Sequence, residues 1–502
     1  MLYTIGMSFR PWMYAVGMTA LFGAAIMYCF ASVLGLDVVF VAPDAPIVPM
    51  TRMEGWKCLI SAPFSLLPLL TGLFGYKVAY EGTFWVDAYV MCWAVVWMLR
   101  GRGVTWGAAW VGGFCAGLMG YFFTLFCAGH RGVVETLVFA VLTLAALQSA
   151  MISFRWWMFS LVGVFLALGL APQPDIWFLF LFPLVAFGIW LMVVERRWRT
   201  LRALICRGLL TVVVFAVVAV GTGAWTQAVG PAKAKREADF AQVTAQIVDE
   251  GEAREARRTF VTDWSLPPED CLEFLIPGVW GYSSYQMDVK PYRGQMGMAG
   301  NAFRQHTVHM GVLGLFLALL AWRRRHLPEA RDLFFWYAVA VVAVVAALGR
   351  FTPLYQLLLS VPILGEIRAP VKWLHVAGLA VAICAGIGAG QWVSCKRWWV
   401  AFVLAALVAL NMTWVARHYV FPRDLSHNAL TRAVPSGAKL LNAVRWGELD
   451  AICHWQRIAL ADDPSSADVV VAAVQQGVRP LATLTVRGHA LGLYRLNKEH
   501  GS

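Results

Sequence analysis

The sequence predicts a mainly α, polytopic transmembrane protein of about eleven helical spans, with outer-face loops and a small C-terminal α/β appendage. Three observations carry that expectation. Of 502 residues, 60% are hydrophobic and only 14% charged, against about 25% charged in soluble domains. The apolar residues gather into stretches long enough, or nearly so, to cross roughly 30 Å of hydrocarbon at about 1.5 Å per residue. Lys and Arg collect in alternate connections between those stretches. A soluble enzyme is thereby excluded. So is a nucleic-acid module, because the net charge of +12 comes from arginines at the ends of apolar runs and not from one basic face.

The first stretch, 11 to 34, follows a weakly charged start without a small-residue cleavage site, and is expected to be retained as a signal anchor. The piece 59 to 75 (LISAPFSLLPLLTGLFG) holds two prolines, which suits a re-entrant or interfacial segment better than a straight span. Further spans are expected at 83 to 99, 104 to 127, 133 to 150, 155 to 171, 176 to 194 and 208 to 224. The last four fall at 308 to 322, 333 to 349, 371 to 391 and 398 to 415. The stretch 352 to 363 (TPLYQLLLSVPI) is too short to cross.

Placing the N-terminus inside puts Arg10, Arg100, Arg102, Arg155, the run Arg196 to Arg207, Arg323 to Arg325, Lys396 and Arg397 on the cytoplasmic side. The C-terminus is then outside. Four regions follow: an N-terminal transmembrane module 1–224 with a first outer loop 37–82, a long outer loop 225–307, C-terminal transmembrane helices 308–415 with a re-entrant segment 350–370, and an outer tail 416–502. Within the long loop, 231 to 258 is polar and rich in helix formers, as a solvated helix would be. In the tail, 467 to 474 and 481 to 496 alternate as strands, the latter as a hairpin around RGH. Short basic turns and short cytoplasmic connections suit a bacterial inner (cytoplasmic) membrane. The cysteines form no CxxC pair; Cys58, Cys271 and Cys453 fall on the outer side, where an oxidising compartment would allow pairing.

Polar residues that could carry chemistry gather on the outer face. Asp44, between Pro43 and Pro46, either closes an Asx turn or acts as a carboxylate about ten residues past the first span. The AGHRG turn presents His130 and Arg131, which suit an anion as well as they suit a topogenic pair. Glu135, just inside the next span, must face protein or a watery cavity. The stiff APQPD turn carries Gln173 and Asp175. LGEIRAPVKW places Glu366, Arg368 and Lys372 at the membrane surface, where a Glu366–Arg368 ion pair competes with a phosphate role. Trp264, Glu269, Tyr292, Arg304, Gln305 and His306 combine rings, amides and cations as a sugar site does, although packing of an ordered lid explains the same composition.

Five blocks resemble the YfhO-type bacterial membrane proteins of the glycosyltransferase superfamily with the multi-span C fold (GT-C): PDAP with Asp44, AGH with His130, the PQ turn with Gln173, DWSLPPEDCLEFLIPGVWGY with FRQH downstream, and GRFTPLYQLLLSVPILGEIRAPVKW. The resemblance runs in order over about 1 to 395. It implies a GT-C-like transferase that moves a sugar, a hexose or N-acetylhexosamine, from a polyprenyl-phosphate carrier to a cell-envelope glycan, polymer or glycoprotein acceptor at the outer face. It places the catalytic carboxylate on Asp44. His130, Arg131, Arg368 and Lys372 would then receive the carrier phosphate, and Gln173, Asp175, Trp264, Glu269, Tyr292, Arg304, Gln305 and His306 would line the sugar or acceptor. The chain departs from the family in having PYRGQMG where a Tyr-Trp-Gly segment is usual, and His309 where a Tyr is usual. No cofactor is required; a divalent metal bridging phosphate to Asp44 is compatible with the scheme, though the first loop has no DxD pair. The expected partners are the lipid-linked sugar, its acceptor and the bilayer, with no nucleic acid. Two other classes fit the composition: a lipid-linked sugar or polymer transporter, whose ionisable residues would lie within spans, and a non-catalytic scaffold that binds envelope polymer.

Overall fold

In hydrocarbon every backbone amide must find its partner within the chain, so continuous apolar sequence has little choice but to form helix. The computed structural model describes residues 10–31, 38–40, 66–74, 76–127, 130–226, 241, 249–262, 264–277, 279, 309–359, 368–393 and 398–416, with the strands of the tail. Among them, seven helices are long and apolar enough to cross a membrane: Gly82–Gly101, Arg131–Ser153, Pro174–Val194, Arg197–Gly221, Pro328–Ala347, Pro370–Ala389 and Trp399–Ala416. The protein is a membrane-spanning helical bundle.

In chain order the helices are α1 (Arg10–Cys29), α2 (Leu66–Phe74), α3 (Tyr76–Gly101), α4 (Trp106–Gly117), α5 (Gly120–Cys127), α6 (Arg131–Ser153), α7 (Trp156–Leu170) and α8 (Pro174–Val194). They continue as α9 (Leu201–Gly221), α10 (Glu250–Thr262), α11 (Val312–Leu320), α12 (Leu333–Ala347), α13 (Pro353–Leu359), α14 (Leu374–Ala389) and α15 (Trp399–Ala416). Each of the eleven expected stretches holds helix. Two depart from a plain crossing. The third is broken at Leu118 and Met119 into α4 and α5, and the Gly120 N–H, at the break, donates to the His309 carbonyl at 3.2 Å. The eighth is the short α11, which starts after Gly311 and ends in a tight turn at Ala321–Arg324. The 59 to 75 piece yields α2, and α3 begins at Tyr76, about two turns before the expected span.

At the centre lies α14, in which every residue from Leu374 to Ala389 except Val381 is buried. Small residues let its neighbours approach closely. A Cβ on Gly388 would sit 1.9 Å from the Leu317 carbonyl oxygen, and one on Gly112 would sit 3.0 Å from the Gly386 Cα. Beside this core, Phe22 of α1 meets Phe114 of α4 edge-on, and Phe30, just past α1, clusters with Phe84 of α3 and Phe123 of α5. By contrast α9 packs on α7 and leaves Leu209, Val212, Val213, Val217 and Val220 exposed.

Among the described residues, short connections gather at a basic face. On the basic face Arg102 joins three of them: its Nε and Nη2 hold Asp332 at 2.5 and 2.9 Å, its Nη1 holds Glu195 at 2.5 Å, and Trp190 Nε1 donates to Asp332 at 2.8 Å. The tail contributes β3 to β7 (Lys439–Asn442, Ala459–Leu460, Val469–Ala473, Ala482–Val486, His489–Arg495), in the sheet order β4-β3-β5-β7-β6. The last two strands pair antiparallel with Val486 opposite His489. A separate pair joins β1 (Val38–Phe40), beyond α1, to β2 (Pro422–Asp424), beyond α15.

Candidate functional site

Opposite the basic face, three helix starts meet. The segment His130–Gly132 opens α6, APQPD opens α8, and Pro370–Trp373 winds a 3₁₀ turn into α14. The first two touch directly, since a Cβ on Gly132 would lie 2.6 Å from the Pro172 carbonyl oxygen, and Thr136 Oγ1 donates to the Gly169 carbonyl at 3.0 Å. The second and third are joined by an ion pair, with Lys372 Nζ donating to Asp175 Oδ2. The other oxygen of Asp175 accepts from Gln173 Nε2 at 2.8 Å and from the Ile176 N–H at 2.9 Å. One carboxylate therefore caps its own helix and anchors a lysine from a helix start 197 residues away. Unpaired helix-start N–H groups carry positive potential, and three such starts add to Arg131 and Lys372, each of which is paired within the corner to a carboxylate, Glu135 and Asp175.

Beneath it lie the charges of the interior. Arg131 Nη2 reaches Glu135 Oε1 at 3.0 Å, one turn along α6. Buried Asp87, on α3, sits in the field of both Glu135 and Arg131, and its Oδ2 has no hydrogen-bond partner among the described residues. His375, on the first turn of α14, is buried beside Lys372 and Asp175. Asp87 and His375 were not picked out from the sequence, although an ionisable side chain inside an apolar span is a signal in itself.

A strap of backbone holds the long loop to this corner. The Ala369 N–H donates to the Val261 carbonyl at 3.1 Å, the Val371 N–H to the Trp264 carbonyl at 3.2 Å and the Leu266 N–H to the Ala347 carbonyl at 2.8 Å. Ser265 Oγ accepts from the Arg350 N–H at 3.0 Å and donates to the Thr262 carbonyl at 2.6 Å. Two non-glycine residues in the strap, Trp264 (φ +68°) and Ala369 (φ +69°), lie in the left-handed region, a strain that packed surroundings must hold in place. Arg368 stacks over Phe260, with Cζ 3.9 Å from the ring centroid. Glu269 lies on the turn Pro268–Phe274, half-buried. Next to it, burial pushes the Cys271 thiol up from its ordinary range, and the Asp270 and Glu269 carboxylates push it the same way. Cys271 carries a free thiol. His309 bridges the Glu273 carbonyl at 3.3 Å and Asn411 Oδ1 at 3.1 Å.

Of the residues singled out from the sequence, His130, Arg131, Gln173, Asp175, Trp264, Arg368 and Lys372 thus come to one corner, with Glu269 on the strap beside it. Asp44, Tyr292, Arg304, Gln305 and His306 lie outside the described residues, as do Glu366, Cys58 and Cys453. No cluster of His, Cys, Asp and Glu among the described residues would hold a metal ion.

No family model and no curated protein matches the sequence. Among solved structures, the chain is similar to the crystal structure of ArnT from Cupriavidus metallidurans bound to undecaprenyl phosphate, at 11% identity and a TM-score of 0.49, over 97% of this chain and all of that one. It is also similar to the arabinofuranosyltransferase AftD from Mycobacteria, at 12% identity and a TM-score of 0.38, over 85% of this chain and 29% of that one. A third likeness is to the archaeal oligosaccharyltransferase AglB from Archaeoglobus fulgidus, in complex with an inhibitory peptide and a dolichol-phosphate, at 10% identity and a TM-score of 0.34, over 90% of this chain and 61% of that one.

Proposed function

We propose that the protein is a membrane glycosyltransferase that moves a sugar from a polyprenyl-phosphate carrier to an acceptor at the face opposite its basic turns. The observation that carries this reading is the corner where three helix starts, Arg131 and Lys372 meet at one end of an otherwise apolar bundle. Such a site suits an anion presented at the membrane surface. The motif resemblance to GT-C proteins supports the same reading from the sequence.

The chemistry needs few groups. A phosphate-linked sugar already carries a good leaving group, so no general acid is required. The protein must deprotonate or orient the incoming hydroxyl and neutralise the departing phosphate. Asp44 takes the first task. Lys372 has three N–H donors, enough to keep Asp175 while giving another to a phosphate oxygen. His130, Arg131 and Arg368 complete the anion site, and Trp264, Glu269, Tyr292, Arg304, Gln305 and His306 close over sugar and acceptor from the long loop.

Lys372→Gln tests the assignment. In lipid, the variant is expected to bind a polyprenyl-phosphate sugar at least ~10-fold more weakly, the scale of losing one charge-assisted contact to phosphate, while the thermal transition moves little. Equal binding by the variant would overturn the phosphate role. The lipid-linked sugar transporter is the alternative, and Asp87, buried within α3, is the feature that favours it. A transporter moves labelled donor across vesicles without consuming it.

A further inference from the structure

The basic face holds a second concentration of charge that the proposed reaction does not use. In chain order, Arg155 precedes α7, and Arg196, Arg197, Arg199, Arg202 and Arg207 run through the α8–α9 turn into α9. The nearest carboxylate in sequence, Glu195, is taken by Arg102 at 2.5 Å and by Arg331 at 3.3 Å. Two of the six guanidiniums form a floor. Arg197 donates to the Met151 and Ile152 carbonyls at 2.8 and 2.6 Å, and both Arg197 and Arg207 lie over the Phe154 ring, with Cζ 4.6 and 3.6 Å from its centroid. Arg207 Nη1 has no acceptor among the described residues.

The other four, Arg155, Arg196, Arg199 and Arg202, are exposed. So are Trp156 and Trp198, at 66% and 56%. The helices behind them run parallel, because Phe154 meets Arg207, Phe159 accepts from Thr211 Oγ1 at 2.9 Å, and Gly163 abuts the Thr211 carbonyl. Both helices therefore turn their positive N-terminal ends toward the arginines, α9 starting about two turns further out than α7. Further along, α9 exposes Ile205, Leu209, Val212 and Val213.

The geometry points to a binding site for an anionic phospholipid at the parallel N-terminal ends of α7 and α9. A ligand that fits must bring negative charge to the arginines, tolerate tryptophans at the headgroup level, and lay acyl chains along the exposed valines. A soluble phosphate meets only the first requirement, and a zwitterionic lipid meets only the last two. A topogenic role alone asks for positive charge in the turn; it asks neither for a stacked floor nor for two helix ends turned toward it.

The test uses the full chain, purified in mild detergent and followed by native mass spectrometry with phosphatidylglycerol and phosphatidylcholine supplied in equal amounts. The wild type is expected to retain phosphatidylglycerol about 10-fold over phosphatidylcholine, and the triple variant Arg196→Gln/Arg199→Gln/Arg202→Gln to lose that preference. Arg323→Gln, an exposed arginine elsewhere on the same face, is expected to keep it. Should the triple variant fail to insert, Arg199→Gln and Arg202→Gln are read singly, each with about a 3-fold loss. Equal retention of the two lipids by wild type, an unchanged preference in the variants, or displacement of phosphatidylglycerol by millimolar inorganic phosphate would overturn the assignment.

Discussion

In the proposed reaction Asp44 would handle the proton and Lys372 the phosphate, so their variants should fail differently. Asn keeps the volume and turn-forming hydrogen bond of Asp but accepts no proton. Asp44→Asn is therefore expected to insert and bind donor normally, yet transfer sugar at least ~100-fold more slowly, in an assay that measures donor binding and turnover on the same preparation. Near-normal turnover would move the base elsewhere, with Asp175 a poor candidate because its two oxygens already hold Lys372, Gln173 and the Ile176 N–H. That saturation was not legible in the sequence. Gln173 and Asp175 stood out as an acidic turn without a compensating base, whereas the base comes from position 372, and only packing of α8 against the start of α14 brings it there. Arg368 shows the same limit. Its neighbour Glu366 suggested an ion pair, while Phe260, far away in the chain, supplies the stacking surface.

The helices themselves were easier to anticipate, because hydrocarbon leaves continuous apolar sequence little alternative. What the residues concealed were interruptions. The break between α4 and α5 lies in GLMG, as apolar as its surroundings, and the amide it frees is satisfied by His309 from a distant part of the chain. The extension of α3 back to Tyr76 takes in Lys77 and Glu81, within the stretch assigned to the first outer loop. The strap across the corner of Lys372 and Asp175 depends on one backbone conformation. Gly349 has φ +51°, and a Cβ there would fall 2.1 Å from Ser265 Oγ and 2.7 Å from Pro370 Cγ. Gly349→Ala is expected to destabilise the protein by about 2 to 4 kcal/mol, seen as a lower Tm and faster proteolysis near residue 264. Gly208→Ala, where the new methyl meets nothing within 4 Å, should instead be neutral or stabilising by about 0.5 kcal/mol.

For the molecule as a whole, the sidedness of charge was the most informative feature of the sequence, and the structure places the arginine-rich connections at one end of the bundle and the corner of Lys372 and Asp175 at the other. Single cysteines at Asn428 and Ser283 are expected to react with an impermeant reagent added outside, and one at Arg199 only after permeabilisation. Labelling of position 199 from outside would place the corner of Lys372 and Asp175 in the cytoplasm. The pairing of first with last has a different consequence. Helix α1 packs on α15, with Tyr14 stacked on Phe402 at 5.8 Å, and β1 pairs with β2. During synthesis, then, α1 waits for α15 before its own packing is complete, and Arg102 likewise waits for Asp332. The two halves should consequently be obligate partners even without a peptide bond between them. Fragments 1–230 and 231–502, expressed separately, are expected to be degraded, and when co-expressed to be recovered together in a pull-down; accumulation of either fragment alone would show that the halves mature independently.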